Sequence, residues 1–174
     1  NIAVGFVMFF VTAWICKDDK LGIEGVVLPK YSLRITAGAG ILLFTIVVST
    51  ACIARYSAYM AHNFDFGIFT QMFENMRTTG LADTTVERNK LMSHFGVHYS
   101  PFFYLLLPFY ALCPRPETLL VLQALFIAVG VIPVMLICKH LNLSRIATAV
   151  ISVMYLLFPA LANGCLYDFH ENKF

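Results

Sequence analysis

Three stretches of this chain carry no charged side chain over lengths that a lipid bilayer dictates: residues 35–54, 118–138 and 146–163. Crossing ~30 Å of hydrocarbon takes about 20 helical residues. A Lys or Asp held at mid-bilayer costs roughly 2.5–3.5 kcal/mol even on insertion scales. Long charge-free runs therefore read as membrane spans. The first two meet the length, and the third reaches it by extending through Gly164, Cys165 and Leu166. The apolar opening at 1–16, stopped by Lys17-Asp18-Asp19-Lys20, reads as a truncated span, because nothing marks a signal-peptide cleavage site. The expected spans are about 1–16, 35–57, 118–138 and 146–166, within a single membrane domain over 1–174. The start at Asn1 and the stop just after a polar motif make the chain an expected piece of a longer polytopic protein.

Charged residues make up 13% of the chain, about half the share of a soluble domain, so lipid replaces water over much of the surface. Lipid forces backbone hydrogen bonds to close within each segment, and the alternation of a barrel strand is absent. The expected fold is all-α, a polytopic membrane helical bundle. Gln123, the one strongly polar side chain of the 118–138 run, is expected to hydrogen-bond between helices. Pro133 and Pro159 are expected to kink theirs. Cys16, Cys52, Cys113, Cys138 and Cys165 lie in or beside apolar runs without CxxC spacing, which favours membrane-buried thiols over a disulfide framework or zinc site. A formal charge of +2 gives no support for nucleic-acid binding.

Basic residues in short connections set the orientation. Lys17, Lys20, Lys30 and Arg34 fall between the first two apolar runs, and Lys139, His140 and Arg145 between the last two, so both connections read as cytoplasmic. The long segment at about 58–117 then faces outward, as does the cluster Asp168-Phe169-His170-Glu171 that follows the last span. On one side of the membrane these two can build a single polar site. Residues 101–113 are the threat to that count. They are apolar, but thirteen residues are short for a span, Pro108 interrupts them, and Ser100-Pro101 resembles a helix start. They are expected to form a helix in, or dipping into, the outer leaflet.

Inside the long segment, Phe66, Phe69, Met72, Phe73 and Met76 recur at helical spacing with Gln71, Glu74, Asn75 and Arg77 between them. That predicts an amphipathic interfacial helix closed by Gly80, its Phe/Met stripe facing a core. Residues 81–93 are the most water-like part of the chain. Asp65 directly precedes the predicted helix and reads either as an N-cap or as an oriented catalytic carboxylate. His94 and His98 stand four apart, a spacing that suits zinc on a helix, although Phe95-Gly96 between them weakens the helix. Asp168, His170 and Glu171 read either as ordinary juxtamembrane polar residues or as part of a site. Arg55, Arg77, Arg88 and Lys90 are the outward cations that charge alone offers to a phosphate. No nucleotide loop, nucleophile elbow, dinucleotide fingerprint or zinc-protease motif is present.

The ordered set Asn63-Phe-Asp-Phe-Gly-Ile-Phe-Thr-Gln71, His98-Tyr-Ser-Pro101, Leu119-Leu-Val-Leu-Gln-Ala-Leu125 and Tyr167-Asp-Phe-His170 resembles an uncharacterised prokaryotic family of predicted membrane proteins, domain of unknown function 2079. The resemblance covers the chain from about residue 35 onward. That family in turn resembles the GT-C class of membrane glycosyltransferases, which use sugars linked to polyprenyl phosphate. The resemblance implies the N-terminal part of a GT-C-like fold, with interfacial helices in a long extracytoplasmic loop and Asp65 in the place of the catalytic acid. It also implies a prokaryotic plasma membrane with the active face outside, and as partners the bilayer and a polyprenyl-phosphate-linked sugar. Many GT-C enzymes show two acids where this chain has Asp65-Phe66-Gly67, so a divalent metal is an option rather than a requirement.

Sugar transfer from a lipid phosphate to a hydroxyl needs a base for the acceptor and positive charge for the departing phosphate. Asp65 is the expected base, with His94, His98, Asp168, His170, Glu171 and Arg77 as substrate-binding residues; a metal-ligand set is not assigned. The rival reading is a non-enzymatic transporter, flippase or assembly subunit. Spans nearly free of ionisable residues argue against a transport path. A metal-dependent membrane hydrolase using His94, His98 and His170 is the third reading.

Overall fold

The computed structural model describes residues 2–18, 28–61, 63–167 and 169–170. The described chain is mostly helical, and three of its helical stretches are long and apolar enough to cross a bilayer: Ser32–Ser57, Pro116–His140 and Arg145–Tyr167. Each lies within a few residues of a charge-free run, because exclusion of charge is the property that both the sequence and the lipid enforce. The opening helix α1, Ile2–Asp18, has 17 residues, about 25 Å at the usual rise and thus short of the hydrocarbon thickness. Lys20 of the first basic connection lies outside the described residues.

The span α2 is Ser32–Ser57 without interruption. The other two are broken where proline predicts. α5 (Pro116–Val129) gives way at Gly130 to α6 (Val131–His140), three residues ahead of Pro133, which cannot donate to the carbonyl of Val129. Tyr155 donates its hydroxyl to the carbonyl of Ile127 at 2.8 Å. A side chain on Gly130 would collide with that hydroxyl. α7 (Arg145–Leu156) starts at Ser144, whose hydroxyl accepts from the Ala147 N–H, and Pro159 opens α8 (Pro159–Tyr167) from its first turn.

The chain divides into two compact units, Asn1–Val47 with Leu125–Asn163, and Val48–Ala124 with Gly164–Phe174. The core of the first is Ile15, Cys138, Ala147 and Ile151, with Cys16, Val134 and Met154 packed against it. In it Arg145 also donates to the carbonyl of Leu28 at 2.6 Å.

The second unit contains the long inter-span segment. α3, Asn63–Thr79, buries the whole predicted stripe: Phe66, Phe69, Met72, Phe73 and Met76 are 0–3% exposed. It ends at Gly80, which takes the left-handed φ of +79° that glycine adopts without strain. The Gly80 carbonyl accepts from the Tyr104 hydroxyl at 2.8 Å. Residues 81–93, the most water-like part of the chain by sequence, are largely exposed or half-buried, yet α3 holds part of them. Asn75 Nδ2 donates to the carbonyl of Asp83 (2.8 Å), and Gln71 Oε1 accepts from the Thr84 hydroxyl (2.9 Å) and the Thr85 N–H (2.8 Å). These bonds pull the stretch onto α3, where Ala82 and Thr84 are buried. They also support a minimal antiparallel pair, β1 (Asp83–Thr84) with β2 (Met92–Ser93), an addition to the expected all-α fold.

Residues 101–113 form α4, Phe103–Leu112, whose ten residues fall well short of a span. Pro101 and Phe102 make a turn ahead of it rather than its first helical positions. Phe103, Leu106 and Tyr110 are buried, with Phe103 and Tyr110 stacking edge-on or tilted against Phe73 of α3. Leu105, Phe109 and Leu112 are 57%, 49% and 84% exposed. Only three residues separate α4 from Pro116 at the head of α5, a reach of about 10 Å. That apolar face, held close to a span, is the one expected to lie in the interfacial layer. With the native Trp14 replaced by Phe, tryptophan at 105 or 112 should emit in the blue and be quenched by shallowly brominated lipids, more than by deeply brominated ones. Quenching greatest at bilayer-centre depth would make α4 part of a crossing element, and water-like emission would lift it out of the membrane.

Candidate functional site

The site is built on the ring of Phe69, at the middle of α3. It is 2% exposed and has four aromatic neighbours: His94 at 5.1 Å between ring centroids, Phe169 at 5.3 Å, Phe103 at 5.5 Å and His170 at 5.6 Å, all edge-on. Edge-to-face pairs of this kind add about 0.5–1.5 kcal/mol each beyond area burial. Phe169, fully buried, also meets Phe73 and Phe103. Gln123 completes the attachment. Its side chain is fully buried, its Nε2 donates to the Cys165 carbonyl (3.4 Å), and its Oε1 accepts from the His170 N–H (3.2 Å). The lone amide of the 118–138 run thus bonds between elements, as its position in an apolar helix predicts.

The consequence is that the polar residues of the loop and those after the last span come together. His94 opens a short 3-10 turn, His94–Gly96, and the His98 N–H donates back to the His94 carbonyl at 2.9 Å. The two imidazoles stand 5.7 Å apart, and His170 lies 6.1 Å from His98. Asp168 and Glu171 lie outside the described residues. Among the described residues no three His, Cys, Asp or Glu side chains gather at metal-ligating geometry, so the donor set does not form a ready metal centre.

Asp65 stands in the first turn of α3, which begins at Asn63, and not ahead of the helix as an N-cap. There its carboxylate complements the helix dipole. It is half-buried, and among the described residues nothing hydrogen-bonds to it. It precedes Phe69 by four residues, so it shares the core-facing side of α3 one turn before the ring that touches His94 and His170. Arg77 is elsewhere. Twelve residues further along the helix, it is about 18 Å from Asp65 along the axis. Its guanidinium forks onto Glu74, with Nε to Oε2 at 3.0 Å and Nη2 to Oε1 at 2.5 Å. That bond holds the Glu74 carboxyl below its usual range and lifts Arg77 further above its own. Burial, then the Glu74 charge, pushes the neighbouring Tyr110 phenol up.

Sequence reasoning missed Glu87. Its carboxylate accepts from His94 Nδ1 at 2.8 Å, and the two side chains are 11% and 3% exposed. The only signal for it was a carboxylate seven residues ahead of the first histidine, too weak without the fold. A groove of about 670 Å³ runs along another side of α3, lined by Tyr56, Tyr59, Gly67, Thr70, Gln71 and Glu74, within the ~300–1,000 Å³ usual for small-molecule sites.

Residues 55–174 match the family model described as predicted membrane protein, DUF2079. The chain belongs to that family. No curated protein and no solved structure is significantly similar to it. The matched residues of this DUF2079 member take in every element of the second unit from the end of α2 onward, the histidine cluster and Asp65 included.

Phe169→Ala should cost about 3–5 kcal/mol, as for other buried phenylalanines, and free the residues after α8 from the loop. Thermal unfolding of the full-length protein in detergent, with proteolysis near residue 170, measures both effects. A variant with unchanged melting and protection would mean that Phe169 does not hold the site together.

Proposed function

We propose that this protein is an integral-membrane glycosyltransferase that moves a sugar from a polyprenyl-phosphate donor to an acceptor hydroxyl at the extracytoplasmic surface. The observation that carries the reading is the meeting of His94 and His98, from the loop after α2, with His170, from beyond α8. Two spans lie between those segments, so both belong to one side of the membrane. The short basic connections belong to the other, by the positive-inside rule. Polar chemistry gathered at one surface, with spans nearly free of charge, suits an enzyme that meets a lipid-borne substrate at the interface. A transport path would need ionisable groups within the spans.

In this reading Asp65 is the general base. Its proton-free carboxylate takes the acceptor's hydroxyl proton as the acceptor oxygen attacks the anomeric carbon. The lipid phosphate departs from that carbon with the electron pair of the broken bond. Alignment supplies much of the rate, and the apolar face of α4 would lie along the prenyl tail. The family match makes the chain a predicted membrane protein, and the transfer assignment rests on the resemblance of its motifs to the GT-C class. The transporter or flippase reading keeps a place only as the outcome of the test. Asp65→Asn keeps shape and removes the charge, so the full-length variant should fold, bind lipid-linked sugar and lose about 10²–10⁴-fold in transfer. Near-normal transfer would reduce Asp65 to a structural residue. Activity of the wild type should persist in chelator, the outcome expected from the single acid in Asp65-Phe66-Gly67.

A further inference from the structure

His94 is 2% exposed, and its Nδ1 is committed to Glu87 at 2.8 Å. A carboxylate as covered as that of Glu87 is costly unless a positive charge balances it, and we take His94, 2.8 Å away, as that charge in its imidazolium form. The ring then carries a second N–H, at Nε2, on the edge away from Glu87. That atom is buried and has no hydrogen-bond partner among the described residues. A buried donor on a cationic ring asks for an anionic oxygen. The exposed ring of His98 lies 5.7 Å from that of His94, His170 lies 6.1 Å from His98, and Asp65 sits one turn along α3 from Phe69, whose ring meets both His94 and His170. Arg88 and Lys90 are exposed on the loop that carries Glu87, and Arg77 is spent on Glu74.

We infer that Glu87 and His94 form the phosphate-side dyad of this site, with the Nε2–H of His94 as the donor to an oxygen of the departing lipid phosphate and Glu87 as the residue that positions it. The inference rests on the transfer reading above and supplies what Asp65 cannot. As the bond from the anomeric carbon to the phosphate oxygen breaks, that oxygen keeps the electron pair and takes the Nε2 proton. The acceptor oxygen forms the new bond and its proton goes to Asp65. His94 is left neutral with Nδ1–H still on Glu87, and solvent returns the two carriers to their starting states.

The test uses full-length protein in nanodiscs and three probes: geranyl monophosphate, geraniol and inorganic phosphate. Geranyl monophosphate should bind and shift the ¹⁵N resonance of His94 Nε2 in the wild type, a readout that needs no mutation. His94→Asn should weaken binding by about 10-fold or more and Glu87→Gln by several-fold, while geraniol binding stays the same in all three proteins. An unmoved Nε2 resonance at saturation, or equal affinity in wild type and both variants, overturns the dyad. Equal affinity for inorganic phosphate would assign the site to the free anion and overturn the lipid-phosphate assignment. Binding that depends on both residues in a protein that transfers no sugar would sink the transfer reading alone. Transfer with unchanged phosphate binding in the variants would sink the dyad alone.

Discussion

The packing of Phe169 between Phe69, Phe73 and Phe103 is the contact on which the candidate site depends. Polar groups at a membrane surface have water as a competing partner, so their mutual attraction is too weak to gather them. Apolar rings have no such alternative. Phe169 and the neighbouring Gln123 bonds fix the chain directly before and at His170, and His170 arrives beside His98 as a consequence. The order of cause runs from aromatic burial to polar proximity.

The same logic explains what the sequence made legible. The spans were readable because exclusion of charge from lipid is a one-dimensional property, visible without knowing any contact. The stripe on α3 was readable for a related reason, since its period of three and four projects onto one face and all five residues are buried. The starting turn was misread by three residues. Asp65 looked like a cap because the apolar stripe begins at Phe66, yet the helix already holds Asn63 and Phe64. Helix starts depend on local backbone bonding that a stripe does not encode.

Glu87 was illegible for a deeper reason. Residues 81–93 show no period and read as solvent-exposed. Most of them are exposed, but Ala82 and Thr84 are buried where side chains of another element, Gln71 and Asn75 of α3, bond to Thr84, Thr85 and Asp83. Those two amides sit on the polar side of an amphipathic helix, where sequence pattern assigns them to water. The fold uses them to dock a polar segment, and docking brings Glu87 to His94.

α3 therefore carries different duties on different sides. Its Phe/Met side holds the aromatic core and, at the first turn, Asp65. The side with Gly67, Thr70 and Glu74 borders the open groove beside Tyr56 and Tyr59. The polar groups along the groove are largely engaged within the protein, with Thr70 bonded to the Phe66 carbonyl, Gln71 to the threonines and Glu74 to Arg77. A groove whose polar lining is already satisfied can receive a ligand by shape and aromatic contact, but it has little proton chemistry to offer. The Asp65 carboxylate, with no hydrogen-bond partner among the described residues, and the buried imidazole edge both belong to the other side. The proposed site therefore lies beside the aromatic packing, where the buried His94 Nε2 has no hydrogen-bond partner among the described residues, and not in the groove.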